Sequence, residues 1–281
     1  MLVFSELVKL SRNLTILKIG GSLITDKSKP YTFNHELIQQ ISQEIGECLR
    51  IGILEDLIII HGVGSFGHPP VLEHGLYRGF QNKEQLIPLS NTQAIVNKLR
   101  DHLTSELRKC EVPIVMFHAS SLCTANKGMI QSIFVKPIAG FLSVGMIPLI
   151  GGDMVSDESM GFSVCSGDQI ATILALEMNP VRILFATDVS GVYSTDPNVN
   201  PDIKPIMHFD KAKLQEFLYK AEKEISKSDA SGMMIGKLKT ILALSEKKKD
   251  NFRVSIFSMN QPGNLKKILQ NEPFAHTEIS F

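Results

Sequence analysis

Leu57-Ile58-Ile59-Ile60-His61-Gly62-Val63-Gly64-Ser65-Phe66-Gly67-His68 is the stretch on which the fold turns. Its apolar, largely β-branched start has the pattern of a buried parallel strand. It then breaks into Gly62, Gly64 and Gly67 and closes on His68. Glycines after a strand let the backbone approach a ligand and aim N–H groups inward. That suits a phosphate, cradled by Gly62, Val63, Gly64 and Gly67. His68 then sits at the ligand's edge, where an imidazole can donate to a phosphate oxygen. The plainer alternative is a tight turn with a surface or capping histidine. His61, nearer the strand, reads as structural. No Gly-Lys-Ser/Thr follows, so this is not a Walker A loop.

A second strand repeats the pattern. Leu14 to Ile19 runs into Gly20-Gly21-Ser22, with Lys18 inside the strand and Lys27 in the loop beyond. A lysine between Leu17 and Ile19 is costly to bury without an anionic partner. Two strand-to-glycine turns with cationic neighbours suggest one anion site built from both. Ile147 to Ile150 leads in the same way into Gly151-Gly152-Asp153. Ser166-Gly167-Asp168 opens a helix running to about Met178. There Asp168 is either a cap or a carboxylate that aligns lysines or a metal-bound phosphate. The strand Arg182 to Thr187 ends in Asp188-Val189-Ser190-Gly191-Val192-Tyr193, where Asp188 could equally be a turn residue. Lys237 follows Ser231-Gly232 within two turns of a helix start, so its amine can reach phosphates there or remain solvated.

The rest of the chain connects these points. Helices are expected over 34–50 (capped by Asn34), 91–110, 137–144, 210–225, 231–249 and 263–270. Further strands are expected over 113–118 and, as the last one, 253–257. Met129 to Phe134 and Met154 to Val164 read as hairpin strands, the latter turning at Asp157-Glu158-Ser159. Pro69-Pro70 is expected to stop regular structure directly after His68. Asn198 to Pro205 reads as a proline-punctuated loop, and Val3, Leu7 and Leu10 as a short packed helix. Strands alternating with helices imply an α/β fold with a mostly parallel sheet covered on both faces. In such sheets ligands bind beyond the carboxyl ends of the strands, where each glycine loop lies. No internal repeat or low-complexity segment is present.

Bulk properties narrow the function. The 281 residues suffice for one large domain or two lobes. The formal net charge of +0 offers no basic excess for a nucleic-acid backbone, so any phosphate site must be local and concave. Cys48, Cys110, Cys123 and Cys165 are scattered without a C-x-x-C pair, which argues for reduced thiols in the cytoplasm. The eight histidines form no H-E-x-x-H, and no metal-ligand set is expected. The first 13 residues lack a secretory pattern, and no apolar run reaches bilayer-spanning length.

Taken together, these residues resemble the amino acid kinase family and, within it, the isopentenyl phosphate kinases. Lys18-Ile-Gly-Gly-Ser22 with Thr25 and Lys27 is similar to K-x-G-G-S-x-x-T-x-K. His61-Gly-Val-Gly-Ser-Phe-Gly-His68 matches H-G-x-G-S-F-G-H, and the S-F-G-H tail is the specific part. Gly75 to Phe80 resembles Y-G-L-x-K-G-F. Ser166-Gly-Asp168, Thr187-Asp-Val-x-Gly-Val-Tyr193 and Asp196-Pro197 match second-half signatures. Ser190 stands where the family usually has Asp, and Ser231-Gly232-Met233-Met234 where it has T-G-G-M.

The resemblance implies an open αβα sandwich, commonly a homodimer. It implies an N-terminal acceptor lobe over 1–178 and a C-terminal ATP lobe over 179–281, sharing one continuous sheet. The implied reaction moves a phosphoryl group from ATP, with Mg²⁺, to isopentenyl phosphate, giving isopentenyl diphosphate for mevalonate-type isoprenoid synthesis. By resemblance, Lys18 bridges the transferred group, Lys27 supports it, His68 binds the acceptor and Asp168 orients the lysine. Gly62, Val63, Gly64, Gly67, Phe80, Gly151 and Gly152 would contact the acceptor, with Phe80 and Ile150 as walls for its five-carbon tail. Lys18, Gly20, Gly21, Ser22, Thr187, Asp188, Gly191, Tyr193, Asp196, Gly232 and Lys237 would contact ATP. A fosfomycin-type phosphonate kinase is the nearest rival. A non-catalytic binding protein of this fold is the rival of another class. Carbamate, acetylglutamate and uridylate kinases lack the S-F-G-H match.

Overall fold

The structure is a computed structural model describing residues 13–26, 28–197, 199–200, 202–224, 229–247 and 253–281. The expected N-terminal helix, Lys27, and both Asn198 and Pro201 of the proline loop lie outside the described residues. In chain order the elements begin with β1 (Thr15–Ile19), α1 (Gly21–Ile24), α2 (His35–Arg50), β2 (Leu57–His61), α3 (Gly64–Glu73) and α4 (Leu86–Lys109). They continue with β3 (Ile114–Phe117), α5 (Ala119–Leu122), β4 (Cys123–Asn126), β5 (Met129–Ile133), α6 (Lys136–Leu142), β6 (Ile147–Gly151), β7 (Asp153–Asp157), β8 (Gly161–Cys165) and α7 (Gly167–Met178). The last are β9 (Arg182–Thr187), β10 (His208–Phe209), α8 (Lys211–Glu224), α9 (Asp229–Lys247), β11 (Arg253–Ser258), α10 (Asn264–Leu269) and β12 (Thr277–Ser280).

One sheet runs in the order β10-β12-β11-β9-β1-β2-β6-β3. Its neighbours pair in parallel except β11 with β12. Because side chains alternate along a strand, each central strand feeds two layers. Ile16, Ile58, Ile60 and Phe185 pack with Ile170 and Leu174 of α7 and Leu238 and Ile241 of α9. Leu17, Ile19, Ile59 and Leu184 pack on the other face with Ile38 and Ile41 of α2 and Leu99 and Leu103 of α4. This is the expected α/β sandwich. By register Lys18 belongs to the α7/α9 face and His61 to the α2/α4 face, which divides the chemistry described below.

Several boundaries differ from expectation. Pro69 and Pro70 do not stop the chain: α3 runs through them to Glu73, so His68 sits on a helix. The carbonyl that Pro69 cannot serve, Ser65 O, accepts instead from Tyr31 N at 3.2 Å. α4 begins at Leu86, five residues early, because Pro88 falls in its first turn, where its missing N–H costs nothing. The two expected hairpin segments form a separate sheet in the order β5-β4-β7-β8. There β5 pairs with β4, a strand the periodicity did not reveal. β11 is not the last strand, since β12 follows it. Its short alternation is hidden among polar residues.

Long-range caps fix the periphery. Buried Glu44 of α2 accepts from Leu265 N at 2.8 Å and Lys266 N at 3.2 Å, capping α10 from another helix. Asn34 caps α2 as expected, accepting from Leu37 N. All four cysteines are free thiols. Among the described residues no helix is long and apolar enough to cross a membrane.

Candidate active site

The glycine loops after β1 and β2 lie in backbone contact. A Cβ on Gly21 would sit 2.5 Å from Gly64 N, and one on Gly62 would sit 2.6 Å from Gly21 N. Neither position tolerates a side chain, so the two glycine-rich turns pack directly on one another. Thr25 stitches them together: its hydroxyl donates to Gly21 O at 2.8 Å and accepts from Ser65 N at 3.0 Å. Not every loop amide faces a ligand. The N–H groups of Gly20, Gly62 and Gly152 bond Ala186 O, Ile19 O and His61 O at 2.8, 2.8 and 3.1 Å. Those three glycines therefore serve close backbone approach.

Over these loops comes the N-terminus of α7. Ser166 caps it, accepting from Gln169 N at 3.2 Å. Gly167 passes so close that a Cβ would lie 3.1 Å from His61 O and 3.4 Å from Lys18 Cε. The absent side chain lets Asp168 descend on Lys18. Lys18 Nζ is 2.9 Å from Asp168 Oδ1. Lys237 Nζ, arriving from α9, is 2.9 Å from the same oxygen and 3.0 Å from Oδ2. Its amine also lies 4.8 Å from the centroid of the Phe185 ring. Phe185 pairs with Lys18 across β1 and β9, a placement that sequence analysis missed and strand register alone could have shown.

One carboxylate and two ammonium groups leave a surplus positive charge beside the glycine loops. Burial alone would raise the Asp168 carboxyl, but the charges of Lys18 and Lys237 outweigh it and hold it far below the usual carboxylate range. Burial, then the neighbouring Lys18 charge, pushes Lys237 down to about 8 despite Asp168. An arriving phosphate would replace part of the carboxylate's role for both amines. Such preorganised cations suit phosphoryl transfer, where the protein's work is mainly positional and electrostatic.

His68 is exposed on α3. Partial desolvation and then the Lys18 charge lower its imidazole below the ordinary value. At neutral pH it is therefore a neutral donor near Lys18. Thr187 is buried at the end of β9, its hydroxyl donating to Asp188 Oδ1 at 3.0 Å. Ser22 lies in α1 beside Gly21, Tyr193 is half-buried, and Asp196 is exposed on the loop after β9.

Other candidates have different surroundings. Gly151 backs onto the His61 ring, which fills the space a side chain would need, so its glycine is explained by packing. Gly191 packs against Thr277 of β12 for the same reason. Gly67 is buried, with its open side taken by Val63. Phe80 is 46% exposed, with its N–H bonded to Met160 O at 2.8 Å on the β7–β8 hairpin. Ile150 is wholly buried within the sheet core. Gly232 falls within the span of α9. Among the described residues no three His, Cys, Asp or Glu side chains converge to hold a metal ion. The only carboxylate of the cluster is committed to two lysines, so these residues do not form a protein cage for Mg²⁺.

This fold, with stacked glycine loops and a lysine–aspartate–lysine cluster, defines a phosphotransferase-type site, and the chain belongs to the amino acid kinase family, which matches residues 13–258. It is 32% identical over 274 residues to an isopentenyl phosphate kinase of Methanothermobacter thermautotrophicus, covering 95% of this chain and 99% of that protein. It is 31% identical over 280 residues to one from Methanocaldococcus jannaschii, covering 95% and 99%. A solved isopentenyl phosphate kinase structure superposes with a TM-score of 0.79 at 31% identity, covering 95% of this chain and all of that one.

Proposed function

We propose that the protein transfers the γ-phosphoryl group of ATP to the phosphate of isopentenyl phosphate, forming isopentenyl diphosphate and ADP. The observation that carries the reading is the pair of lysines gathered on one carboxylate beside fused glycine loops, with His68 close enough to feel the Lys18 charge. Two phosphates must approach each other, and their repulsion has to be neutralised. Lys18 and Lys237 supply that charge, and Asp168 keeps both amines aligned until substrate arrives. His68 donates a hydrogen bond to the acceptor phosphate. The acceptor is already an anion, so no general base is needed. ATP enters as its Mg²⁺ complex, with the ion carried by the nucleotide phosphates.

In this reading the acceptor occupies the half before residue 179 and ATP the half after it, across the shared sheet. Two copies would associate through the exposed Phe141 and Val144 beside the edge strand β3. The free thiols support a reducing, cytoplasmic setting, and the product would enter mevalonate-type isoprenoid synthesis. A coupled ADP-release assay comparing isopentenyl phosphate with fosfomycin tests the assignment. Acceptor-dependent turnover of isopentenyl phosphate alone is the expected result. Turnover of fosfomycin alone would move the protein to phosphonate chemistry, and turnover of neither would contradict both.

A further inference from the structure

Arg100 projects from the middle of α4 and is 1% exposed, a fully buried cation on the sheet face opposite Lys18. Among the described residues it forms no ion pair. Its hydrogen bonds go to neutral groups: Nε to His61 Nε2 at 3.3 Å, and Nη1 to Asn97 Oδ1 at 2.8 Å and His118 Nδ1 at 2.7 Å. Nη2 is buried without a partner. These contacts gather the carboxyl ends of β2 and β3, while Gly151 at the end of β6 gives up a side chain to the His61 ring.

The donors and acceptors permit one assignment of the ring. Arginine only donates, so His61 Nε2 must present a lone pair. The Gly62 carbonyl only accepts and lies 3.0 Å from His61 Nδ1, so that nitrogen carries the hydrogen. A proton on Nε2 would face the Arg100 N–H. Burial, then the Arg100 charge, hold His61 down to about 3, so it stays neutral at any physiological pH. Lys18 on β1 acts in the same direction on His61, while Asp153 on β7 and Asp101 on α4 favour the charged form of Arg100.

We propose that Arg100 is a positioning residue for the acceptor phosphate: by holding His61 as its Nδ1–H tautomer, it fixes the Gly62 carbonyl and with it the course of the Gly62–Gly67 cradle. The step from cradle to acceptor rests on the function proposed above, whereas the tautomer does not. A strut that merely ties three strands together would disturb both substrates alike, or neither.

Imidazole ¹⁵N NMR on the whole wild-type chain tests the first half. His61 should show a protonated Nδ1 and a bare Nε2 from pH 5 to 8, without titrating. An Nε2–H tautomer, or titration near 6.5, overturns the proposal. Kinetics test the second half. Arg100→Met should raise KM for isopentenyl phosphate about tenfold and leave KM for ATP within twofold. Arg100→Lys should recover part of the loss. If Arg100→Met fails to fold, His61→Gln should show the same acceptor-selective rise. Equal rises in both KM values, or an unchanged acceptor KM, overturn the proposal. Wild-type protein that turns over no isopentenyl phosphate removes the acceptor reading instead, and the NMR result then decides the tautomer alone.

Discussion

Two buried cationic groups lie at the carboxyl edge of one sheet, on opposite faces, and they are built on opposite plans. On the α7/α9 face, Lys18 and Lys237 share the Asp168 carboxylate, within a cluster whose aspartate side chain is still 20% exposed. On the α4 face, Arg100 is sealed from water and hydrogen-bonded to two neutral histidines and an asparagine. The first arrangement is charge-paired and open, so a second anion can enter and redistribute its bonds. The second centres on a guanidinium that is only 1% exposed, which suits holding shape rather than admitting an anion. Lysine suits the first role because its amine is a compact point charge on a flexible stem, and arginine suits the second because its planar fork sets two neighbours at once.

The largest expected effect comes from breaking the open cluster at its centre. Lys18→Met should lower kcat by about a thousandfold, the upper range for one preorganised donor, with the folded circular-dichroism spectrum retained. Asp168→Asn removes the anion and leaves two amines side by side. Turnover should fall about a hundredfold, and thermal unfolding should come down by roughly 5–10 °C, the effect of stranding a buried charge. A stable Asp168→Asn protein would show that the lysines do not depend on that carboxylate.

His68→Ala should cut turnover on isopentenyl phosphate by about tenfold through a higher acceptor KM, without touching the fold, since the ring is exposed. The same change with wild-type turnover would remove His68 from the acceptor. The smallest effect near neutrality is a pH dependence. Lys237 is pushed down to about 8, and its proposed role at the ATP phosphates requires the protonated amine. The kcat/KM profile for ATP should therefore be flat below that value and fall as pH rises through it, because this ratio reports free-enzyme groups. A profile flat to pH 10 would place the amine's proton elsewhere.

The contrast also explains what was legible in the sequence. The members of the open cluster were conspicuous one by one: a lysine inside an apolar strand, glycines at strand exits, and an aspartate beside a helix start each look unusual alone. The stacking of Gly21 on Gly62 and Gly64 is a contact that only the structure shows. The sealed network was not readable. Arg100 sits among polar residues on a helix whose apolar stripe predicts only packing, and its partners lie 39 and 18 residues away. Gly151 looked like a ligand glycine because a strand-end glycine gives the same signal whether a phosphate or a histidine ring lies against it. Pro69 misled because a proline's cost depends on who else can use the carbonyl it abandons, and Tyr31 N is visible only in three dimensions. Phe185 is a core residue that strand register sets beside Lys18.

The central claim is that the Lys18–Asp168–Lys237 cluster moves a phosphoryl group onto a phosphate acceptor. Phosphorus NMR of the intact protein with MgATP and isopentenyl phosphate tests it most directly. The account predicts that the acceptor's single resonance gives way to the two coupled resonances of a diphosphate ester as ADP accumulates, and that Lys18→Met leaves the acceptor unchanged over the same period. No diphosphate from the wild-type protein, or its undiminished formation by Lys18→Met, would contradict it.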